Sequence, residues 1–216
     1  MSIGLVTAIF DDYDSLKPQY TDAKEAVCVT DNPELRADGW RIHTVSRPVG
    51  ESGRMACKHP KLFPWLYLRG SHDILITVDA SFEIQPEKIV IEDFLPQGEI
   101  LSQWPNMFRR CAYDESKFSE TVDKYAADKL RDQASFYRDQ GLDRQWGLWS
   151  CGIIFRRDVP RIREFEVRWY QEICRWGVQD QVSHAFVCHQ MNLRPYQPED
   201  GVVTDNKFAI WRGHRK

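Results

Sequence analysis

The chain contains short, almost continuous apolar runs separated by polar turns. The first run covers residues 3–10 and ends in the polar turn 11–14. Runs at 26–30 and 40–45 predict two further strands, with little room for long helices between them. The strongest run, 73–78, leads directly into Asp79-Ala80-Ser81. Because strands of a parallel sheet are covered on both faces, such runs predict a buried, largely parallel sheet.

Two helices are predicted in the second half of the chain. Apolar side chains recur at mostly helical spacing from 117 to 140, and Gly141 is a suitable stop. A second stripe runs from 160 to 176, with Pro160 suited to the first turn. A strand at 148–155 lies between them. This alternation predicts an α/β fold, and 216 residues fit one domain covering 1–216.

Composition narrows the possible partners and compartments. With 29 Lys+Arg against 32 Asp+Glu, the net charge of -3 gives no global basic field to hold nucleic acid. The first residues lack a basic leader, and no apolar run approaches the roughly 18 residues of a membrane span, so we expect a cytoplasmic protein without a membrane span. Six irregularly spaced cysteines predict mostly buried thiols in a reducing compartment. Dinucleotide-binding, P-loop, kinase and esterase motifs are absent.

The acid at the end of the strongest predicted strand is the first candidate for chemistry. Asp79 and Ser81 are two positions apart, so both side chains project to the same side. Their oxygens suit a hard divalent cation, Mg²⁺ or Mn²⁺, that bridges phosphates. The alternative is an aspartate that merely caps a strand end.

A cluster of basic residues precedes this strand. Arg54 and Lys58 are four residues apart and share one face of a helical turn, and Lys61 follows after Pro60. A guanidinium and ammonium groups on one face suit a diphosphate, although a solvated basic face is the commoner explanation of such a cluster.

The remaining polar candidates are less specific. Asp180 suits a base, a ligand of the acceptor hydroxyl or, by default, a helix N-cap. The segment 109–115 is most simply a surface ion-pair cluster. The histidines form no i,i+4 metal pair, and His214 is interpreted as a tail residue.

Taken in order, these segments resemble a glycosyltransferase-like domain family, formerly a domain of unknown function, that includes plant mucilage-related and turgor-regulation proteins. The resemblance spans the first strand to about Phe186. It rests on the following landmarks: 6–10 with Tyr13-Asp14; Thr30-Asp31 before Gly39-Trp40; R-x-x-x-K-x-P-K at 54–61; 62–64; 78–81; Arg109 with 113–115; Gln133 with Phe136-Tyr137 and Gly141-Leu142; 152–156; and 180–183.

The resemblance implies a GT-A-like, Rossmann-like mixed sheet flanked by helices that uses a nucleotide-sugar donor such as a UDP-sugar. By position, Thr7, Ala8, Phe10 and Tyr13 would hold the base and ribose. Arg54 and Lys58 would face the diphosphate, and Asp79 with Ser81 takes the place of the metal-binding D-x-D motif. Asp180 lies near the reacting centre, and His214 matches a late metal ligand of such enzymes.

Two departures from the family pattern concern charge. Asp79-Ala80-Ser81 lacks the second carboxylate, which weakens the expected Mn²⁺ or Mg²⁺ site. The family usually has an arginine before the Asp-Gln pair, where this chain has Gln179, so a positive charge is expected to be missing near the site.

The lead hypothesis is sugar transfer to a hydroxyl acceptor, which is a glycan, a small molecule or a modified nucleobase. If the reaction inverts the anomeric centre, Asp180 is the predicted base; if it retains, Asp180 orients the sugar. Trp104, Trp146 and Trp149 are the predicted acceptor-stacking side chains.

Two alternatives stay open. One is a catalytically silent nucleotide- or glycan-binding module, which the missing second acid favours. The other is a phage-type transferase acting on a hydroxymethylated DNA base. It would need a local basic patch at 156–163 or in the tail 212–216, because the net charge gives nucleic acid no help.

Overall fold

The computed structural model describes residues 1–85, 88 and 90–214. Its strands are β1 (Ile3–Ile9), β2 (Glu25–Thr30), β3 (Arg41–Thr44), β4 (Ile74–Val78), β5 (Phe82–Ile84), β6 (Leu101–Ser102), β7 (Ile153–Arg157) and β8 (Ala209–Trp211). Its helices are α1 (Gly53–Leu62), α2 (Ile91–Phe94), α3 (Ala112–Ser119), α4 (Leu130–Asp139), α5 (Pro160–Trp176) and α6 (Asp180–Gln190), and short 3-10 helices cover Pro64–Leu66 and Asp123–Tyr125.

The main sheet has the strand order β3-β2-β1-β4-β7-β6. Strands β3, β2, β1 and β4 run parallel, whereas β7 is antiparallel to both β4 and β6. The two central strands, β1 and β4, are almost entirely buried, as their continuous apolar sequences predict. The predicted α/β, Rossmann-like mixed sheet flanked by helices is confirmed.

The sheet separates two apolar layers. On one face, α1 packs against β1 and α5, and α5 packs against α6. The core there includes Trp169 and Phe165 of α5. On the other face, α2, β5 and β8 cover a cluster that contains the stacked rings of Phe94 and Phe155. The predicted helix at 160–176 is confirmed, with Pro160 at its first position.

The predicted continuous helix at 117–140 is wrong. The chain forms α3, leaves the helical conformation at Val122 (φ −111°, ψ 115°), makes a 3-10 turn and re-enters a helix at Leu130. Phe118 belongs to the predicted apolar stripe, yet 48% of it is exposed. Gly141, with φ +79°, does follow the end of α4 as predicted.

The predicted strand at 148–155 begins only at Ile153. Before it, the carbonyl of Gly152 accepts the N–H of Asp79 at 2.8 Å. A Cβ on Gly152 would lie 2.8 Å from the Phe82 ring and 3.7 Å from Asp79 Oδ2. A side chain at position 152 would therefore displace the Phe82 ring.

Most of the cysteines are buried, as predicted. All six cysteines are free thiols, of which Cys28, Cys111, Cys151 and Cys188 are buried and Cys174 is exposed. In the described part of the chain, every helix is too short or too polar to span a lipid bilayer.

Candidate active site

A cleft of about 230 Å³ lies at the carboxyl ends of β1 and β4, where open α/β sheets bind ligands. Polar and charged side chains from distant segments form much of its lining: Tyr13, Asp14, Arg54, Lys58, Lys61, Asp79, Lys124, Tyr125, Asp180, Gln181 and His214. Four of these are basic side chains (Arg54, Lys58, Lys61 and Lys124) and three are carboxylates (Asp14, Asp79 and Asp180). The sequence-predicted Ala8, Tyr13, Arg54, Lys58, Asp79, Asp180 and His214 therefore share one cleft.

Helix α1 supplies three of the four cations. Ser52 caps it by accepting the N–H of Met55, and the spacing of Arg54, Lys58 and Lys61 places them on one helical face. The buried Arg156 of β7 donates to the Lys61 carbonyl at 3.1 Å and also pairs with Glu166 of α5. This contact ties the C-terminal end of α1, and with it Lys61, to the sheet.

Asp180 lies at the centre of a buried charge network. Its Oδ2 is 2.7 Å from Lys58 Nζ and 3.0 Å from Lys61 Nζ, and Lys61 Nζ is also 3.1 Å from Asp79 Oδ1. Burial raises the pKa of Asp180, but the two ammonium groups outweigh it and hold the pKa well below its usual range. Because Asp180 and Asp79 stabilise the charged ammonium, the pKa of Lys61 is raised in spite of burial.

This environment argues against Asp180 as the base that takes the acceptor proton. A carboxylate bound by two ammonium groups has a low proton affinity, whereas an efficient general base titrates near the working pH. Asp180 is also not the N-cap of α6. That position is taken by Gln179, whose side chain accepts the N–H of Gln181. The Asp128 carboxylate fixes this turn by accepting the N–H groups of Val178 and Gln179.

The entrance to the cleft carries two residues that the sequence patterns missed. Arg54 donates to the Lys124 carbonyl at 2.8 Å and to the Tyr13 hydroxyl at 3.4 Å, and its guanidinium lies 5.1 Å from the Tyr13 ring centroid. The pKa of Lys124 is lowered, first by burial of the Lys124 ammonium and then by the positive charge of the neighbouring Arg54. Lys124 and Tyr125 reach the cleft because the helix predicted across them is interrupted.

His214 is not an unattached tail residue. Strand β8 pairs with β5 directly after Asp79, and Arg212 N donates to the Ser81 carbonyl. His214 Nδ1 then lies 2.9 Å from Asp14 Oδ2. A carboxylate on one ring nitrogen orients the imidazole and leaves Nε2 as the nitrogen that can bind a cation.

These residues fit a divalent cation only together with a phosphate ligand. Asp79 and His214 both line the cleft, but no group of three His, Cys, Asp or Glu side chains suited to a metal occurs among the described residues. Mg²⁺ is commonly held by one or two carboxylates and by substrate phosphates. Asp79 could supply the carboxylate and His214 a nitrogen, and the remaining ligands of a cation would have to be phosphate and water oxygens.

Three predicted ligand residues lie outside the cleft lining. Thr7 and Ser81 are 3% and 2% exposed, and Phe10 packs in the apolar layer beneath α1. Thr7 precedes Ala8, and successive side chains of a strand point to opposite faces. Ser81 cannot act as the second oxygen of a D-x-D-like pair, since its side chain is buried.

The predicted acceptor-stacking tryptophans are also in other environments. Trp104 and Trp149 are 2% and 1% exposed, respectively. Trp146 is half-buried against His189, and Arg194 packs over its ring. None of the three lines the cleft within the described chain, so any stacking surface for an acceptor must come from other residues.

The unusual Gln179 does not remove a charge from the cleft. Its side chain is buried and donates to Glu115 Oε1 at 2.8 Å and to Ser119 Oγ at 2.9 Å. Glu115, predicted as part of a surface cluster, is 3% exposed and pairs with Arg109. An arginine side chain in place of Gln179 would contact the Glu115 carboxylate. In this chain the guanidinium that pairs with Glu115 is that of Arg109.

The arginines at 156–163, predicted as a possible nucleic-acid patch, make hydrogen bonds and ion pairs within the chain. Arg156 is buried against Glu166, and Arg157 donates to the carbonyls of Glu99, Leu95 and Pro96. Arg161 donates to the carbonyls of Met191 and Asn192, and Arg163 pairs with Asp158. In the tail, Arg212 pairs with Glu83, and residues 215 and 216 lie outside the described residues.

Comparison with known proteins gives one family. A model described as TOD1/MUCI70, glycosyltransferase-like domain, matches residues 21–204. No curated protein matches the chain. The matched segment contains α1, Asp79, Lys124 and Asp180, whereas β1, Tyr13 and His214 lie outside it.

Proposed function

The chain belongs to the TOD1/MUCI70 glycosyltransferase-like domain family, and we propose that it transfers a sugar from a nucleoside diphosphate donor to a hydroxyl acceptor. One observation carries this proposal. Arg54, Lys58, Lys61 and Lys124 converge with Asp79 on a single cleft at the carboxyl ends of β1 and β4. A diphosphate is the ligand whose charge and size such a cationic cleft suits.

The proposed donor lies with its diphosphate along α1. Arg54 binds phosphate oxygens through the N–H groups that do not contact Lys124 and Tyr13, and Lys58 and Lys61 act as point charges at the inner end. The Tyr13 ring and the small side chain of Ala8 leave room for the base and ribose. UDP is the nucleotide we assign first.

In the reaction, the acceptor oxygen bonds to the anomeric carbon as the bond from that carbon to the diphosphate oxygen breaks. The bonding electrons leave with the nucleoside diphosphate, and the hydroxyl proton passes to a phosphate oxygen or to water. Fixed cations at the position where this negative charge develops lower the barrier, because they need no reorganisation. A divalent cation bound by Asp79 and His214 would add further charge stabilisation to the leaving diphosphate.

Asp180 has a positioning function in this proposal. It holds Lys58 and Lys61 within 3.0 Å of a single carboxylate oxygen, so both ammonium groups are kept at the inner end of the cleft. The chemistry therefore does not depend on the titration of Asp180 near neutral pH.

Calorimetry with UDP and GDP, each with and without Mn²⁺, tests the proposal. We expect UDP to bind, and Arg54→Met to weaken binding about tenfold or more, since a hydrogen bond to a charged group contributes about 1.5–3 kcal/mol. Lys117→Met is the matched control, because Lys117 is an exposed cation of α3 that does not line the cleft. Absence of nucleotide binding, or equal affinities of the two variants, would refute the donor site.

Turnover is measured separately by following UDP release from UDP-sugars. Release that is abolished by Asp79→Asn supports transfer chemistry at this cleft. Tight UDP binding without release from any donor, across a broad set of acceptors, would instead identify a silent nucleotide-binding module.

A further inference from the structure

The loop 105–110 presents an exposed aromatic surface beside the cleft. Phe108 is 80% exposed, and Met107 and Phe118 are 46% and 48% exposed. The Arg109 guanidinium lies 3.9 Å from the Phe118 ring centroid and 6.0 Å from that of Phe108. We call Met107, Phe108, Arg109 and Phe118 the aromatic platform.

The platform is joined to the cleft by one hydrogen bond. Asn106 Nδ2 donates to Gln181 Oε1 at 2.7 Å, and Gln181 lines the cleft next to Asp180. The oxygen of Asn106 accepts the N–H groups of both Phe108 and Arg109 at 2.9 Å. A single amide therefore sets the conformation of the loop and connects it to the proposed reaction site.

The loop is held by the fold, which favours binding with little loss of entropy. Asn106 N donates to the Leu148 carbonyl at 2.9 Å, and Pro105 forms a bridge with Trp149. Arg109 is fixed by its ion pair with Glu115. The exposure of Phe108 is thus a property of a well-anchored loop.

We propose that the aromatic platform is the acceptor subsite and that it binds a carbohydrate chain. This inference rests on the proposed function and adds the chemical class of the acceptor. A sugar ring offers an apolar C–H face and hydroxyl groups, and the surface offers an aromatic face beside an amide. Since Gln181 Oε1 accepts from Asn106, the N–H groups of Gln181 are left to donate to sugar hydroxyls.

The size and charge of the platform also favour a carbohydrate. A stable protein partner usually covers about 800 Å² on each side, far more than two phenyl rings and one guanidinium provide. The one guanidinium within the platform, that of Arg109, is already paired with the Glu115 carboxylate, so the platform itself offers mainly stacking area. One or two sugar units match it, with the next hydroxyl directed into the cleft.

Saturation-transfer NMR with four pentasaccharides, of glucosyl, xylosyl, mannosyl and galactosyl backbones, tests the assignment, with and without saturating UDP. We expect at least one pentasaccharide to bind, and Phe108→Ala to weaken it about two- to tenfold, the range for loss of one aromatic stacking contact. Phe108→Tyr, which keeps the ring, should bind like wild type. Tyr20→Ala is the matched control, because Tyr20 is 61% exposed and does not line the cleft.

Binding of no pentasaccharide, or equal binding by wild type and Phe108→Ala, would overturn the platform. Calorimetry with UDP on the same samples separates this from failure of the proposed function. Phe108→Ala should bind UDP like wild type, and its melting temperature should be unchanged because the ring is exposed. Pentasaccharide binding that depends on Phe108 in a protein that does not bind UDP would support the platform and refute the donor site.

Discussion

Replacing Asp180 by asparagine tests the charge network on which the cleft depends. The change preserves shape and removes the negative charge that Lys58 and Lys61 share at 2.7 and 3.0 Å. Both ammonium groups are largely buried, with side-chain exposures of 13% and 10%. Without Asp180, Lys58 loses its carboxylate partner, whereas Lys61 keeps Asp79 at 3.1 Å.

The expected cost follows from this burial. Breaking a buried ion pair by removing one partner costs about 3–5 kcal/mol, because a charge is left uncompensated. Since Asp79 still compensates Lys61, we expect the lower end, about 3 kcal/mol. In a chain of this length 1 kcal/mol shifts the melting temperature by about 2–4 °C, so Asp180→Asn should melt about 6–12 °C below wild type.

The pH dependence of this difference has a defined sign. The folded pKa of Asp180 is depressed, so its stabilising contribution is present above the unfolded pKa of about 3.9 and is lost as pH falls toward the folded pKa. The difference between wild type and Asp180→Asn should therefore be constant from pH 8 to 5 and decrease below about pH 4.

Thermal and urea unfolding of wild type and three variants test the buried network. Asp114→Asn is the matched control, because its partner Arg144 and Asp114 itself have side-chain exposures of 63% and 49%, and such pairs contribute about 0–1 kcal/mol. Adding Lys58→Met to Asp180→Asn should recover part of the loss by removing the unpaired ammonium. Equal melting temperatures of Asp180→Asn and Asp114→Asn would refute the buried network.

Four further outcomes are expected. Burial lowers the pKa of His184 to about 3, so the folded protein holds a neutral ring and its stability falls as the pH drops below the unfolded pKa of about 6.5. The difference in unfolding free energy between wild type and His184→Asn, measured by urea unfolding, should therefore shrink by about 2 kcal/mol from pH 7 to pH 5. A difference that stays constant over this range would contradict the burial of a neutral His184. Gly152→Ala should lower stability by about 1–3 kcal/mol in the same assay, because the new Cβ would lie 2.8 Å from the Phe82 ring. Lys124→Met should weaken UDP binding about tenfold in calorimetry at low salt, and an unchanged affinity would remove Lys124 from the donor site. His214→Gln should abolish any strengthening of UDP binding by Mn²⁺ while leaving binding without metal unchanged, so retention of the Mn²⁺ effect would exclude His214 as a ligand.

Parts of the fold follow directly from local patterns. The runs at 3–10 and 73–78 are continuous because β1 and β4 are covered on both faces, and a strand with that burial needs no polar alternation. The 160–176 stripe matches α5 because one face of that helix is buried. The helix predicted at 117–140 fails because periodicity reports residue type and not burial. Phe118 lies at an apolar position of the pattern, yet it is 48% exposed and its ring packs against the Arg109 guanidinium.

The same limit applies to the candidate site. The spacing of Arg54 and Lys58 and the position of Asp79 are local properties, and the structure places all three at one cleft. The contribution of Lys124 depends on a break between α3 and α4 that no local signal marks. His214 reaches the cleft only through the pairing of β8 with β5, a long-range contact.

The hydrogen bond between His214 and Asp14 joins residues 200 positions apart. During translation at about 5–20 residues per second, roughly 10–40 s separate the emergence of these two partners from the ribosome. Until then Phe82–Ile84 lacks its partner strand β8 and lies at an unpaired edge. An unpaired strand edge is a template for pairing with another chain, so β8 removes this opportunity once it has been made.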